Sequence, residues 1–116
     1  TRAECYARIG NTEAALNDLN SLLAKRYRTG TFIPYTATTA TEALLLILKE
    51  RRKELVMRGV RWTDLRRLNK EGIYTTELSR TVNAVTYSLP PNDPRYTYPI
   101  PDEVISFNPD MPQNSR

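Results

Sequence analysis

The sequence predicts a mostly α chain of helical hairpins, followed by a short β-hairpin and a Pro-rich irregular tail. Three observations carry this. Apolar residues recur at helical spacing through most of residues 1–72. Strand-prone residues (Val82, Val85, Tyr87, Leu89) then gather around a Pro/Asn/Asp cluster. Last, Pro99, Pro101, Pro109 and Pro112 force extended or turn backbone and forbid a long helix. At 116 residues there is room for one domain, spanning 1–116. Its helical part is expected at 1–72, and its strands and tail at 73–116.

In chain order, Ala3, Tyr6 and Ala7 share a helical face, and Gly10-Asn11 breaks that helix. A second helix from Thr12 carries Ala15, Leu16, Leu19, Leu22, Leu23 and Tyr27 on one stripe. Tyr6, Gly10, Ala15 and Leu19 match positions of a tetratricopeptide repeat, so the hairpins are expected to be tetratricopeptide-like. Arg28 to Thr41 reads as a Thr-rich loop with Gly30 and Pro34. Its aromatic residues Phe32 and Tyr35 are the candidate ligand contacts, as a stacking platform for a sugar ring. The competing and favoured reading tucks them under the loop as satellite core. Thr39 and Glu42 have capping-box spacing, and the helix they open is expected to reach about Arg58. Gly59 suits a left-handed cap, and a shorter helix runs from Arg61 to near Glu71-Gly72. Val82 to Leu89 is expected to pair with Tyr96 to Tyr98 across residues 90–94. Ile100, Val104 and Phe107 are the expected anchors of the tail.

The stretch from Glu50 to Arg67 holds ten charged side chains and Trp62. Leu44, Ile47, Leu48 and Leu55 fall on one helical face, with Arg51 in its middle. An arginine there requires a carboxylate or carbonyl partner, because an unpaired buried charge costs several kcal/mol. Arg51 is therefore expected to be at least partly buried and paired, with Glu50, Glu54 and Asp64 as candidates. We read Glu50, Arg51, Glu54, Arg61, Trp62, Asp64 and Arg67 as a structural ion-pair network around the tryptophan.

Composition narrows the function. Seventeen basic and 13 acidic residues give a formal charge of +4, but the cations are interleaved with glutamates, which argues against nucleic-acid binding. There is no histidine, the commonest general base and transition-metal ligand. Cys5 is the only cysteine; it forms no intramolecular disulfide and is expected as a small core or groove filler. The clustered acids are flanked by arginines, which lower carboxylate pKa values and make poor general acids. Asp93, Asp102, Glu103 and Asp110 match no calcium loop, and the four glycines form no phosphate cradle. No catalytic residue, metal site or cofactor is expected.

The order Glu50-Arg51-Arg52, Glu54-Leu55, Gly59, Arg61-Trp62, Asp64-Leu65-Arg66 resembles a C-terminal segment of the SusD/RagB family. Arg58 stands where members usually carry an acidic residue. The chain's end, Pro99-Ile100-Pro101, Glu103-Val104, Asn108-Pro109 and Gln113-Asn114, is similar to that family's closing motif. Two ordered motifs at plausible spacing are far more specific than either alone. The resemblance implies a piece of a longer, lipid-anchored protein at the cell surface of the outer membrane. That protein would bind a glycan or peptide nutrient for uptake through a TonB-dependent outer-membrane transporter. The alternative is a tetratricopeptide-like protein–protein adaptor without a nutrient role; the closing motif argues against it.

Overall fold

In a computed structural model, described for residues 1–72 and 74–116, the chain is mostly α with one antiparallel β-hairpin. Ile73, the first residue of the expected second part, lies outside the described residues. The chain divides into two compact units, Thr1–Gly59 and Val60–Arg116.

The first unit is three helices: α1 (Arg2–Arg8), α2 (Thr12–Leu23) and α3 (Ala40–Glu54). Gly10, at φ 84°, makes the corner between α1 and α2. Asn11 then caps α2, its Oδ1 accepting from the Ala14 N–H at 3.0 Å. Ala7, Ala15 and Ala43 are buried at the helix contacts, where short side chains let backbones approach. Leu19, Leu23, Leu44, Ile47 and Leu48 complete the core. The expected stripe on α2 is narrower than its sequence period suggested, since Leu22 is exposed and Tyr27 falls beyond the helix. Cys5 is exposed, which corrects the core or groove assignment. Glu4 and Ala7 take the inward positions of α1, and Cys5 points away from them.

The capping box forms as expected: Glu42 N–H donates to Thr39 Oγ1 at 3.1 Å, and Thr39 N–H returns to Glu42 Oε2 at 3.3 Å. Thr38 adds two more bonds to the same oxygen, and these hold the Glu42 carboxyl below the usual range. The far end of α3 differs from expectation. The helix stops at Glu54, not Arg58, because the chain turns left-handed at Met57 (φ 61°) and again at Gly59 (φ 72°). A left-handed residue cannot continue a right-handed helix. Leu55, not Gly59, occupies the cap position.

The second unit opens with α4 (Arg61–Glu71), which ends where the sequence predicts; Gly72 caps it in the left-handed conformation. Leu65, Leu68 and Asn69 are its buried residues. The hairpin differs from expectation. Strand β1 (Leu78–Val82) pairs with β2 (Val85–Leu89), in the register Leu78 to Leu89 and Arg80 to Tyr87. Asn83 and Ala84 both have positive φ (49° and 63°), as a two-residue type I′ turn requires. Tyr96 is therefore no strand partner; it closes a 3-10 turn, Pro94–Tyr96.

The tail carries a short helix, α5 (Asp102–Phe107). Ile100, Ile105 and Met111 are the tail's half-buried apolar residues, while Val104 is exposed and Phe107 is 90% exposed, so neither of these two is the expected anchor. The tail is tied by polar bonds instead. The Gln113 side-chain amide accepts from Ile100 N–H at 2.7 Å and donates to Ile100 O at 2.9 Å, as a β-ladder residue would. Asn114 Nδ2 donates to Tyr98 O at 2.7 Å.

Candidate functional site

In the first unit the sequence-predicted residues gather at the C-terminal half of α3. Glu50 is buried and accepts from the Tyr35 hydroxyl at 3.2 Å and from Lys53 Nζ. Burial pushes the Tyr35 phenol pKa up, and its bond to Glu50 adds to this; the same carboxylate raises Lys53. Glu54 takes both arms of the Arg26 fork, with Nη2 at 3.0 Å from Oε2. This bond lowers the Glu54 pKa and raises that of Arg26. Arg51 is half-buried on the same helix, as its place in the apolar stripe predicts.

The loop aromatics are both half-buried within this unit. The Phe32 ring lies 5.3 Å from that of Tyr27, tilted by 44°. Tyr35 is held at its backbone by Asn20, which accepts from the Tyr35 N–H at 2.8 Å and donates to its carbonyl at 3.0 Å. Both ring and backbone are thus engaged by the helices beneath the loop.

In the second unit Trp62 builds an aromatic stack. Its Nε1–H donates to Tyr96 O at 3.1 Å, and its ring lies 4.9 Å from Tyr96 and 5.5 Å from Tyr98, the latter nearly parallel at 18°. Tyr96 is buried, its hydroxyl accepting from Asn69 Nδ2 at 3.2 Å. Asn69 Oδ1 also accepts from Thr76 N–H at 3.0 Å, and its backbone carbonyl accepts from Asn92 Nδ2 at 3.1 Å, so one buried residue ties residues 76, 92 and 96 to α4. On α4, Asp64 pairs with Arg67 at 3.3 Å and Glu71 lies 3.7 Å from the same guanidinium. Arg61 is half-buried beside Trp62 in the sequence.

Between this stack and the hairpin lies a groove of about 350 Å³, within the range of small-molecule sites. Trp62, Tyr98, Arg80, Tyr87, Arg95 and Arg116 line it together with hairpin residues, none of them acidic. Arg80 and Tyr87 are direct cross-strand partners and project to one face of the hairpin. Tyr98 is 68% exposed and Tyr87 62% exposed. Arg95 is already occupied: it grips Asp93 through Nε and Nη2 (2.8 and 2.7 Å) and donates to Ser88 O at 3.1 Å. That grip holds the Asp93 carboxyl down at about 2. Arg80, Tyr87 and Tyr98 were not singled out in the sequence as contact residues. The alignment of Arg80 with Tyr87 becomes visible only once the turn is placed at Asn83-Ala84.

The groove thus presents a stacked, partly exposed aromatic pair beside guanidinium groups. The model of the SusD family matches residues 1–116, the whole chain, and the protein belongs to that family. Neither the comparison with curated proteins nor that with solved structures returns a match. Members of this family are non-catalytic, nutrient-binding proteins of the cell surface. Among the described residues no helix is long and apolar enough to cross a membrane.

Proposed function

We propose that the chain is the C-terminal part of a SusD-like surface lipoprotein that binds a glycan or peptide nutrient for a TonB-dependent outer-membrane transporter. The observation that carries this is the family match over the whole chain. Two features of the structure support it. Gln113 and Asn114, the closing pair of the C-terminal motif, tie the tail to Ile100 and Tyr98, which gives the motif a structural task in this chain. The acids Asp18, Glu54 and Asp93 are each held ionised by an arginine, which suits a scaffold and ill suits a general acid. On this reading the full-length protein is lipid-anchored at the outer surface and carries no cofactor.

The test is a glycan and peptide binding screen on the full-length protein, with co-purification of its transporter from membranes. Saturable binding of one ligand class, together with recovery of a TonB-dependent transporter, is the expected result. Binding of neither class, or turnover of a bound glycan by purified protein, would overturn the reading.

A further inference from the structure

We infer that the groove between the Trp62–Tyr98 stack and the β-hairpin binds an anionic saccharide: a sugar ring bearing a carboxylate or sulfate. This rests on the nutrient-binding reading and names a site and ligand class within it.

The argument starts from what each lining residue has left to offer. Tyr98 stacks on Trp62 at 18° on one side and remains 68% exposed, so part of its ring faces solvent. Trp62 is held by its bond to Tyr96 O, and the Tyr98 carbonyl is held by Asn114, so the two rings are already face to face before any ligand arrives. A flat, immobilised aromatic surface suits the apolar face of a pyranose ring. Tyr87, exposed and directly across from Arg80, adds a second ring and a hydroxyl beside the cation.

Charge then selects among sugars. Arg95 is neutralised by Asp93, so it frames the groove without supplying free charge. Arg80 makes no ion pair among the described residues, and no acidic side chain lines the groove. A guanidinium presents parallel N–H donors that match a carboxylate or a sulfate. It has no comparable partner in a neutral sugar. An acidic peptide shares the charge but lacks the flat face, so the stacked rings favour the saccharide.

The test is isothermal titration of the full-length protein with four probes: an oligogalacturonate, a chondroitin sulfate oligosaccharide, a neutral malto-oligosaccharide and a poly-glutamate peptide. Arg80→Gln and Tyr98→Ala variants are titrated alongside, with folding checked by circular dichroism. Saturable binding of the galacturonate, the sulfated probe or both is expected, weakening with added salt. Which probe binds assigns the anion to carboxylate or sulfate. Arg80→Gln should weaken acidic-probe binding about tenfold or more, as loss of a charge-assisted hydrogen bond does. Tyr98→Ala should weaken the acidic probes too. Neutral-sugar binding without acidic-probe binding would overturn the inference and leave the nutrient-binding reading standing. Acidic-probe affinity indifferent to Arg80→Gln, or matched by poly-glutamate, would also overturn it. Failure of every saccharide and peptide would overturn both.

Discussion

Glu50 shows how a single buried carboxylate organises its surroundings. It sits within the apolar face of α3 and is matched by Lys53 at its own helix and by Tyr35 from the loop. Replacing it by Ala would strand the Tyr35 hydroxyl and Lys53 and is expected to cost about 1–3 kcal/mol, the penalty of unsatisfied partners. Tyr35→Phe removes only one hydroxyl bond and should cost about 1 kcal/mol. Urea unfolding of both variants checks the order; equal costs would mean that the Tyr35 bond carries the whole effect and that Lys53 adds nothing. Met57 shows the opposite case, a residue in a conformation it disfavours. Its φ is 61° and its side chain is 98% exposed, so nothing in packing is lost by removing it. Met57→Gly is expected to stabilise the chain by up to about 1 kcal/mol, because left-handed backbone costs a Cβ-bearing residue about 1–2 kcal/mol, part of which glycine forfeits in the unfolded state. A lower urea midpoint in that variant would sink the idea.

At the scale of elements, legibility followed whether the signal was local. The Thr39–Glu42 box is a local, four-residue signature and appears where the sequence places it, as does the end of α4 near Glu71-Gly72. The end of α3 was not legible, because Met57 carries no outward mark of a left-handed residue, whereas Gly59 does. The hairpin turn was missed for a related reason: Asn83 is a common left-handed residue, but Ala84 is not. The Pro/Asn/Asp cluster at 90–94 drew the turn away from its true place, and in the fold that cluster leads into the 3-10 turn. Within the candidate site, Trp62 was found from its charged surroundings, while Tyr87 and Tyr98 depended on strand register and went unnoticed. The tail was anchored in the wrong currency, with apolar residues expected and a side-chain amide used. Gln113→Ala should therefore speed exchange of the Ile100 amide by about tenfold, the loss of one to two hydrogen bonds. Native-state hydrogen exchange reads this directly, and an unchanged Ile100 rate would show that the apolar contacts suffice.

Over the whole molecule, the two units are unequally provided. Among the described residues eleven apolar ones are buried; Leu65, Leu68 and Tyr96 belong to Val60–Arg116 and the rest to Thr1–Gly59. The second unit leans more on polar bonds, and amides there are expected to exchange faster than those of α2 and α3. Acid adds a global dependence. Asp18, Glu42, Glu54 and Asp93 all have folded pKa values below their ordinary ones, the first and last two through bonds to arginine and Glu42 through Thr38. A lowered folded value means that the stabilisation is complete above the unfolded pKa and is lost as pH falls through the folded one. For Asp93 that window runs from 3.8 down to about 2. The pairs are solvent-exposed, so the effect is modest and should shrink further in high salt. A urea midpoint lower at pH 3 than at pH 6 is expected; equal midpoints would mean that these pairs carry nothing.

The double bond from Gln113 to Ile100 makes residues 100–113 a ring closed without a covalent link. Closing a loop of that length costs roughly 2 kcal/mol beyond a constant, while two such bonds return about 1–3 kcal/mol. Gain and cost are of comparable size, so the latch is a shutter rather than a lock, and the Asn114–Tyr98 bond adds to its closed side. Because Tyr98 also stacks on Trp62, every opening of the shutter loosens the aromatic face beside it. A protease that cuts between residues 100 and 113 would then serve as a clock for that face, its rate slowing whenever something sits on Tyr98.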